Sequence, residues 1–373
     1  MKQAQEKPGA AASGRLLVAA VGAHVGIELD TVGGDMALTI REAWRDAATE
    51  GPEPSVVVEP HVEGDASWML SALSQAVTMA AIEARKGELW LLHAGGVALP
   101  DGRVVVFVGP SGRGKTTLAH SLGTVFGYVS DETVGIDDEG RVWPYRKPLS
   151  IIEDPARPKV QRAASSLDLL PLPDVELRVA AIVLLDRHER SCDEPVVELV
   201  DLGDALVELV EQSSYLASMP APLRSIARIV ARAGGVQRVT YRDAETVQAL
   251  IPRLVSGSEA AATEPSMPVL AGAGEEPTLP SYFRGTPLDA IALEDPDRIA
   301  VLQVDDEGRG VVRVLAGIAP ALWRAASGVS FDALVAAAVA QYGAPSGDDP
   351  GSLVRAAVAE LRAAGVLELR TPE

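Results

Sequence analysis

Cysteine is nearly missing from this 373-residue chain, where Cys192 stands alone. That excludes an internal disulfide framework and fits a reducing compartment; a solitary thiol reads as a small inert side chain. Histidine is sparse as well. The five histidines are scattered and none stands at metal-ligand spacing from the cysteine, so no zinc site is legible. No apolar run reaches the ~18 residues a membrane helix needs. The opening Met1-Lys2-Gln3-Ala4-Gln5-Glu6-Lys7-Pro8 has no apolar signal stretch. These absences predict a cytoplasmic protein with no membrane partner. Cations are also in deficit: Lys and Arg number 33 against 52 Asp and Glu, a formal charge of −19. Such a surface repels phosphate backbones, so nucleic acid is excluded as a main partner.

Hydrophobic residues, at 47% of the chain, suffice for sizeable cores, and the length predicts two or three domains. Residues 1–13 read as a disordered lead-in. Residues 14–88 read as a small α/β region, with short apolar runs up to about Glu59 and helical spacing from Trp68 to Ala84. Leu89–Leu99 reads as one buried strand, Pro100-Asp101-Gly102 as a hairpin turn, and Val104–Val108 as a second buried strand. Further strands are expected at Tyr128–Ser130 and Ala180–Leu185, with helices at Leu202–Val210 and Pro222–Ala233; this unit spans 89–255. Residues 256–281, rich in Ser, Gly, Ala, Glu and Pro, read as a flexible linker. The remainder, 282–373, reads as three short strands, three helices and a terminal strand or tail.

The second strand runs straight into Gly109-Pro110-Ser111-Gly112-Arg113-Gly114-Lys115-Thr116-Thr117, and a helix follows. Strand, glycine loop and helix together form a phosphate cradle. Successive N–H groups make an anion nest and the helix N-terminus adds a favourable dipole. This arrangement predicts ATP with Mg²⁺: Lys115 reaches the phosphates and the Thr116 hydroxyl holds the metal. Asp131 and Glu132 follow the next strand, one suited to the metal and the other to taking a proton from an attacking hydroxyl. Taken alone, Asp131 reads rather as a helix or turn cap and His93 as a satisfied core histidine. Arg146 and Lys147 read either as a phosphate clamp or as surface cations.

Leu92-His93-Ala94, the glycine loop and Tyr128-Val129-Ser130-Asp131-Glu132 together resemble the HPr kinase/phosphorylase family over roughly residues 85–255. The resemblance implies a P-loop kinase domain with Asp131 as general base, Glu132 in the second, metal-side position and His93 tuning the base. Two departures are conservative: the loop ends in Lys-Thr rather than Lys-Ser, and the second acid is Glu rather than Asp. A third is not. The family's Glu-Ile-Arg-Gly-Leu-Gly stretch, tied to phosphorolysis and the HPr substrate, is replaced by Trp143-Pro144-Tyr145-Arg146-Lys147-Pro148-Leu149-Ser150.

The last segment resembles PqqD-like peptide-recognition domains. The matching features are the Asp305-Asp306-Glu307-Gly308 turn, Ala321-Leu322-Trp323, Phe331-Asp332-Ala333-Leu334-Val335 and Gly365-Val366-Leu367. That implies a winged-helix module to which a leader peptide adds as a strand near Val311–Leu315. The expected fold class is therefore α/β: an HPr-kinase-type P-loop domain with a small N-terminal α/β region and a C-terminal winged-helix domain. The expected function is phosphorylation of a Ser or Thr of a ribosomally made precursor peptide. A small-metabolite kinase and a non-catalytic nucleotide-gated binding protein are the alternatives, and a homo-oligomer is left open.

Overall fold

The computed structural model describes residues 14–61, 65–151, 159–188, 194–257, 266–268, 270, 279–293, 297–345 and 349–372. The lead-in 1–13, Cys192 and most of the expected linker 256–281 lie outside the described residues. The chain divides into two compact units. One comprises Met1–Val200, Gln212–Met219 and Ile229–Ala261, the other Asp201–Glu211, Pro220–Arg228 and Ala262–Glu373. The architecture is mixed α/β, and among the described residues no helix is long and apolar enough to cross a membrane.

The first unit opens with β1 (Arg15–Ala20) antiparallel to β2 (Ala23–Glu28). Helix α1 (Gly34–Ala43) follows, and then β3 (Val56–Val58), parallel to β2. Helix α2 (Ala66–Ala84) starts where the Asp65 carboxylate accepts the Trp68 N–H at 3.0 Å, satisfying one of the orphan donors of its first turn. Its buried Leu70, Leu73, Val77 and Ala81 recur at helical spacing and share a core with β1, β2 and α1. Each large apolar side chain so buried contributes about 1.5–3 kcal/mol.

The apolar run expected as a single strand is two. β4 (Trp90–Leu92) and β5 (Ala94–Ala98) belong to different sheets, broken at His93. A tight turn leads from β5 to β6 (Arg103–Val108), and α3 (Lys115–Gly123) returns the chain to β7 (Gly127–Ser130). β8 (Val134–Ile136) and β9 (Val142–Trp143) follow, and then β10 (Leu149–Ile151), which pairs with β11 (Val160–Arg162). The ten-residue β12 (Arg178–Arg187) is buried along most of its length and runs parallel to β6, as the near-continuous apolar run of a central strand requires. Next come β13 (Val196–Val200), α4 (Leu202–Glu211), β14 (Ser213–Ser214), α5 (Pro222–Arg232) and β15 (Val236–Tyr241), then the short helices α6 (Ala244–Val247) and α7 (Ile251–Leu254). Among the described residues the main sheet has six strands in the order β13-β15-β12-β6-β5-β7, and a second has the order β14-β4-β8-β9.

In the second unit β17 (Asp289–Leu293), β18 (Arg298–Val304) and β19 (Gly310–Leu315) form an antiparallel sheet. A second sheet places β16 (Ser281–Arg284) between β20 (Ser327–Val329) and β21 (Leu367–Arg370). Helices α8 (Ala319–Ala325), α9 (Phe331–Tyr342) and α10 (Pro350–Ala363) bury Leu322, Trp323, Leu334, Val354, Val358 and Leu361 in one core. Ser330 and Asp349 cap α9 and α10 by accepting the N–H groups of Ala333 and Ser352. Helix α4 also belongs to this unit and packs along β19. The Asp201 carboxylate just before it accepts two hydrogen bonds from Arg298, at 2.8 and 2.7 Å.

Candidate active site

The glycine loop occupies 109–114, between the end of β6 and the first residue of α3. Gly112 (φ 83°) and Gly114 (φ 86°, ψ 18°) are in the left-handed region, which a side chain would strain. These two residues therefore give the loop its shape. Pro110, Ser111, Gly112 and Arg113 are exposed, while Thr116 and Thr117 lie in the first turn of α3. Lys115 is only 7% exposed, and its Nζ donates to the Gly109 and Pro110 carbonyls at 2.6 and 3.2 Å. Burial lowers its pKa from the ordinary lysine value, while the negative charges of Glu132 and Asp131 pull the other way.

The acids reach the site through a feature of the sheets. The chain steps between the two sheets twice: from β4 to β5 at His93, and from β7 to β8 at 131–133. The crossings are adjacent, because the Ala94 N–H donates to the Glu132 carbonyl at 3.0 Å, and His93 N–H donates to Gln212 at 2.7 Å. Strand pairing on either side, Leu92 with Val134 and Gly96 with Ser130, holds His93, Asp131 and Glu132 together. The Ser130 hydroxyl accepts the N–H groups of Glu132 and Thr133 at 3.3 and 3.2 Å. In this turn Ser130 does the capping that Asp131 alone would otherwise suggest.

Asp131 is 4% exposed and its Oδ1 accepts the Tyr128 hydroxyl at 3.0 Å. Burial and the neighbouring Asp131 charge raise the Tyr128 phenol well above its ordinary pKa, so it stays a donor. Lys147 is 3% exposed and stands between the acids, 2.7 Å from Glu132 Oε2 and 3.9 Å from Asp131 Oδ1. Burial works against its charge, but Asp131 and Glu132 outweigh that and push it up to about 12. Glu132 responds in kind. Burial favours its neutral form, yet Lys147, with help from His93 and Lys115, holds it below the ordinary carboxylate range. Burial and the Lys115 charge lower His93 against the pull of Glu132 and Asp131, so at neutral pH it is mainly a neutral imidazole.

The two cations expected as a clamp part company. Lys147 joins the acids, whereas Arg146 donates to the Leu170 carbonyl at 3.3 Å and lies 3.8 Å from Asp46. Between Pro144 and Lys147, the buried Tyr145 hydroxyl accepts the Trp44 indole N–H at 3.3 Å, fixing this stretch against the N-terminal core. The sequence pattern marks Tyr128 only as the start of a strand; the structure makes it the donor to Asp131, three residues on.

A metal ion delivered with a nucleotide could take the Thr116 hydroxyl, Asp131 and Glu132 as its protein ligands, with phosphate oxygens and water for the rest. Among the described residues no three His, Cys, Asp or Glu gather into a metal cage, so such an ion would depend on phosphate ligands.

No protein-family model matches the sequence, and no curated protein matches it. Among solved structures, the HPr(Ser) kinase/phosphatase from Coxiella burnetii is similar over 44% of this chain and 93% of that chain, at 12% sequence identity and a TM-score of 0.25. The likeness is slight.

Proposed function

We propose that this chain is an ATP-dependent phosphotransferase, built on a P-loop domain, that phosphorylates a Ser or Thr hydroxyl of a ribosomally made precursor peptide. One observation carries the kinase reading: Lys115, at the mouth of a left-handed glycine loop, shares its electrostatic surroundings with Asp131, Glu132 and His93. In the reaction the acceptor oxygen bonds to the γ-phosphorus, the bond to the β,γ-bridging oxygen breaks, and the acceptor proton passes to the Asp131 carboxylate. Tyr128 and Lys147 hold that carboxylate in place. When bound, Mg²⁺ supplies charge neutralisation on the phosphates. Calorimetry on Lys115→Ala tests the nucleotide step. Mg·ATP affinity should fall by at least about tenfold, a loss in line with removing a charged contact, and wild-type affinity in that variant would end the P-loop reading.

The peptide part is supported by the succession β17, β18, β19, α8, α9 and α10 in the second unit, where β20 stands between α8 and α9. With leader capture, a precursor peptide should have a KM about 10²-fold below that of its leaderless core at similar kcat, because tethering raises the local acceptor concentration. A second reading, a kinase of small metabolites, is favoured by one feature: α4 packs along β19, the strand expected to receive the leader. An incoming strand would meet α4 there. Equal KM values for the two peptides would make the metabolite kinase the better reading.

A further inference from the structure

Arg187 ends β12, and the register of that strand explains where it lands. β12 and β6 are parallel, with Leu184 opposite Val108, so the residues that follow Leu184 emerge at the carboxyl edge of the sheet beside the glycine loop. In open α/β sheets this edge is where ligands bind. A Cβ placed on Gly109 would lie 3.4 Å from the Leu185 Cβ, and one placed on Gly114 would lie 3.2 Å from Arg187 Nη1 and 3.3 Å from its Cδ. The guanidinium is thus laid against the last residue of the loop. Its Nε donates to the Arg242 carbonyl at 3.1 Å, which fixes the side chain. The residue is exposed, and among the described residues no carboxylate is paired with it. Tyr241 completes the corner, with its hydroxyl 3.6 Å from the same Gly114 position and 3.5 Å from the Arg113 carbonyl.

Charge balance makes this placement matter. A bound nucleoside triphosphate brings several negative charges, and of the expected cations Lys115 follows the loop directly and Arg113 lies exposed within it. Lys147 is enclosed by Asp131 and Glu132, and Arg146 is turned to Asp46 and Leu170. A guanidinium presents a planar fork suited to phosphate oxygens.

We propose that Arg187, held against Gly114 at the carboxyl end of β12, binds the phosphates of the nucleotide and supplies a further cation to the site. This rests on the P-loop reading of the central unit. Calorimetry with Mg·ATP, Mg·ADP and Mg·pyrophosphate on Arg187→Ala, Arg187→Gln and Arg187→Lys tests it. The Ala and Gln variants should bind all three about tenfold more weakly, with Lys recovering part of the loss and circular dichroism unchanged. A loss seen with the nucleotides but not with pyrophosphate would assign Arg187 to the base or sugar and overturn the proposal. So would unchanged affinity in the Ala variant beside a clear loss in Lys115→Ala, an outcome that leaves the P-loop reading standing. If the wild-type chain binds none of the three, both readings fall together.

Discussion

Replacing Asp131 by Asn should lower phosphoryl transfer by a factor of about 10² or more while Mg·ATP still binds. The substitution is close to isosteric. An amide oxygen can still accept the Tyr128 hydroxyl, which now donates to Oδ1 at 3.0 Å. What disappears is the capacity to take a proton, together with one of the two negative charges facing Lys147. Because the Ser130 hydroxyl already accepts the N–H groups of Glu132 and Thr133, the turn itself does not rely on the Asp131 carboxylate. A loss of rate can therefore be read as chemistry, provided that kcat falls and nucleotide affinity does not. Steady-state kinetics paired with calorimetry separates the two. Full turnover in Asp131→Asn would remove Asp131 from proton transfer and move attention to Glu132, the more exposed acid of the pair.

The parts of this site that could be read from the sequence are those whose chemistry is local. A glycine loop between a valine-rich strand and a helix declares itself because the left-handed positions at Gly112 and Gly114 and the lysine that follows are neighbours in the chain. The pair Asp131 and Glu132 was visible as adjacent acids after a strand. The break at His93 was not visible. Leu89–Leu99 is apolar throughout, and only tertiary pairing, with β8 and β14 on one side and β6 and β7 on the other, makes it two strands in two sheets.

Lys147 illustrates the same limit. In sequence it is one of two adjacent cations, and nothing local separates it from Arg146. The buried Tyr145 and the partners on either side decide which of them enters the site. Strand β16 is not legible in the sequence for a related reason: Tyr282 and Phe283 find their partners only at Ser327–Val329 and Leu367–Arg370, far along the chain. Helix α4 was legible as a helix, but its membership of the second unit was not, since its apolar stripe does not say what it will face.

Lys147→Met should destabilise the first unit by about 3 kcal/mol, near the lower end of what breaking a buried ion pair costs. Methionine keeps an unbranched chain of similar length and can fill the space, so the cost comes from charge rather than from a cavity. With Lys147 gone, Asp131 and Glu132 are left as neighbouring acids, one of them almost wholly enclosed. Burial already favours the neutral form of Glu132, and the Lys147 cation is the leading influence opposing it. The lower end of the range applies because the Glu132 side chain is 41% exposed and water can screen part of the loss. For a unit of this size the change corresponds to a fall of about 6–12 °C in Tm.

The pH dependence has a definite sign. The Lys147 pKa is raised from 10.5 to about 12 on folding, so its stabilisation is fully present below 10.5 and is lost as pH climbs through about 12. At neutral pH the whole effect should therefore be seen. Thermal unfolding followed by tryptophan fluorescence reports mainly on this unit, which holds four of the chain's five tryptophans. The double variant Glu132→Gln with Lys147→Met should recover part of the loss, because the partner charge is removed with the lysine. A Tm within about 1 °C of wild type in Lys147→Met, which is at most about 0.5 kcal/mol on the same scale, would mean that the lysine is not the counter-ion of the acid pair. Asp131 would then have only Tyr128 to hold it in register with the glycine loop.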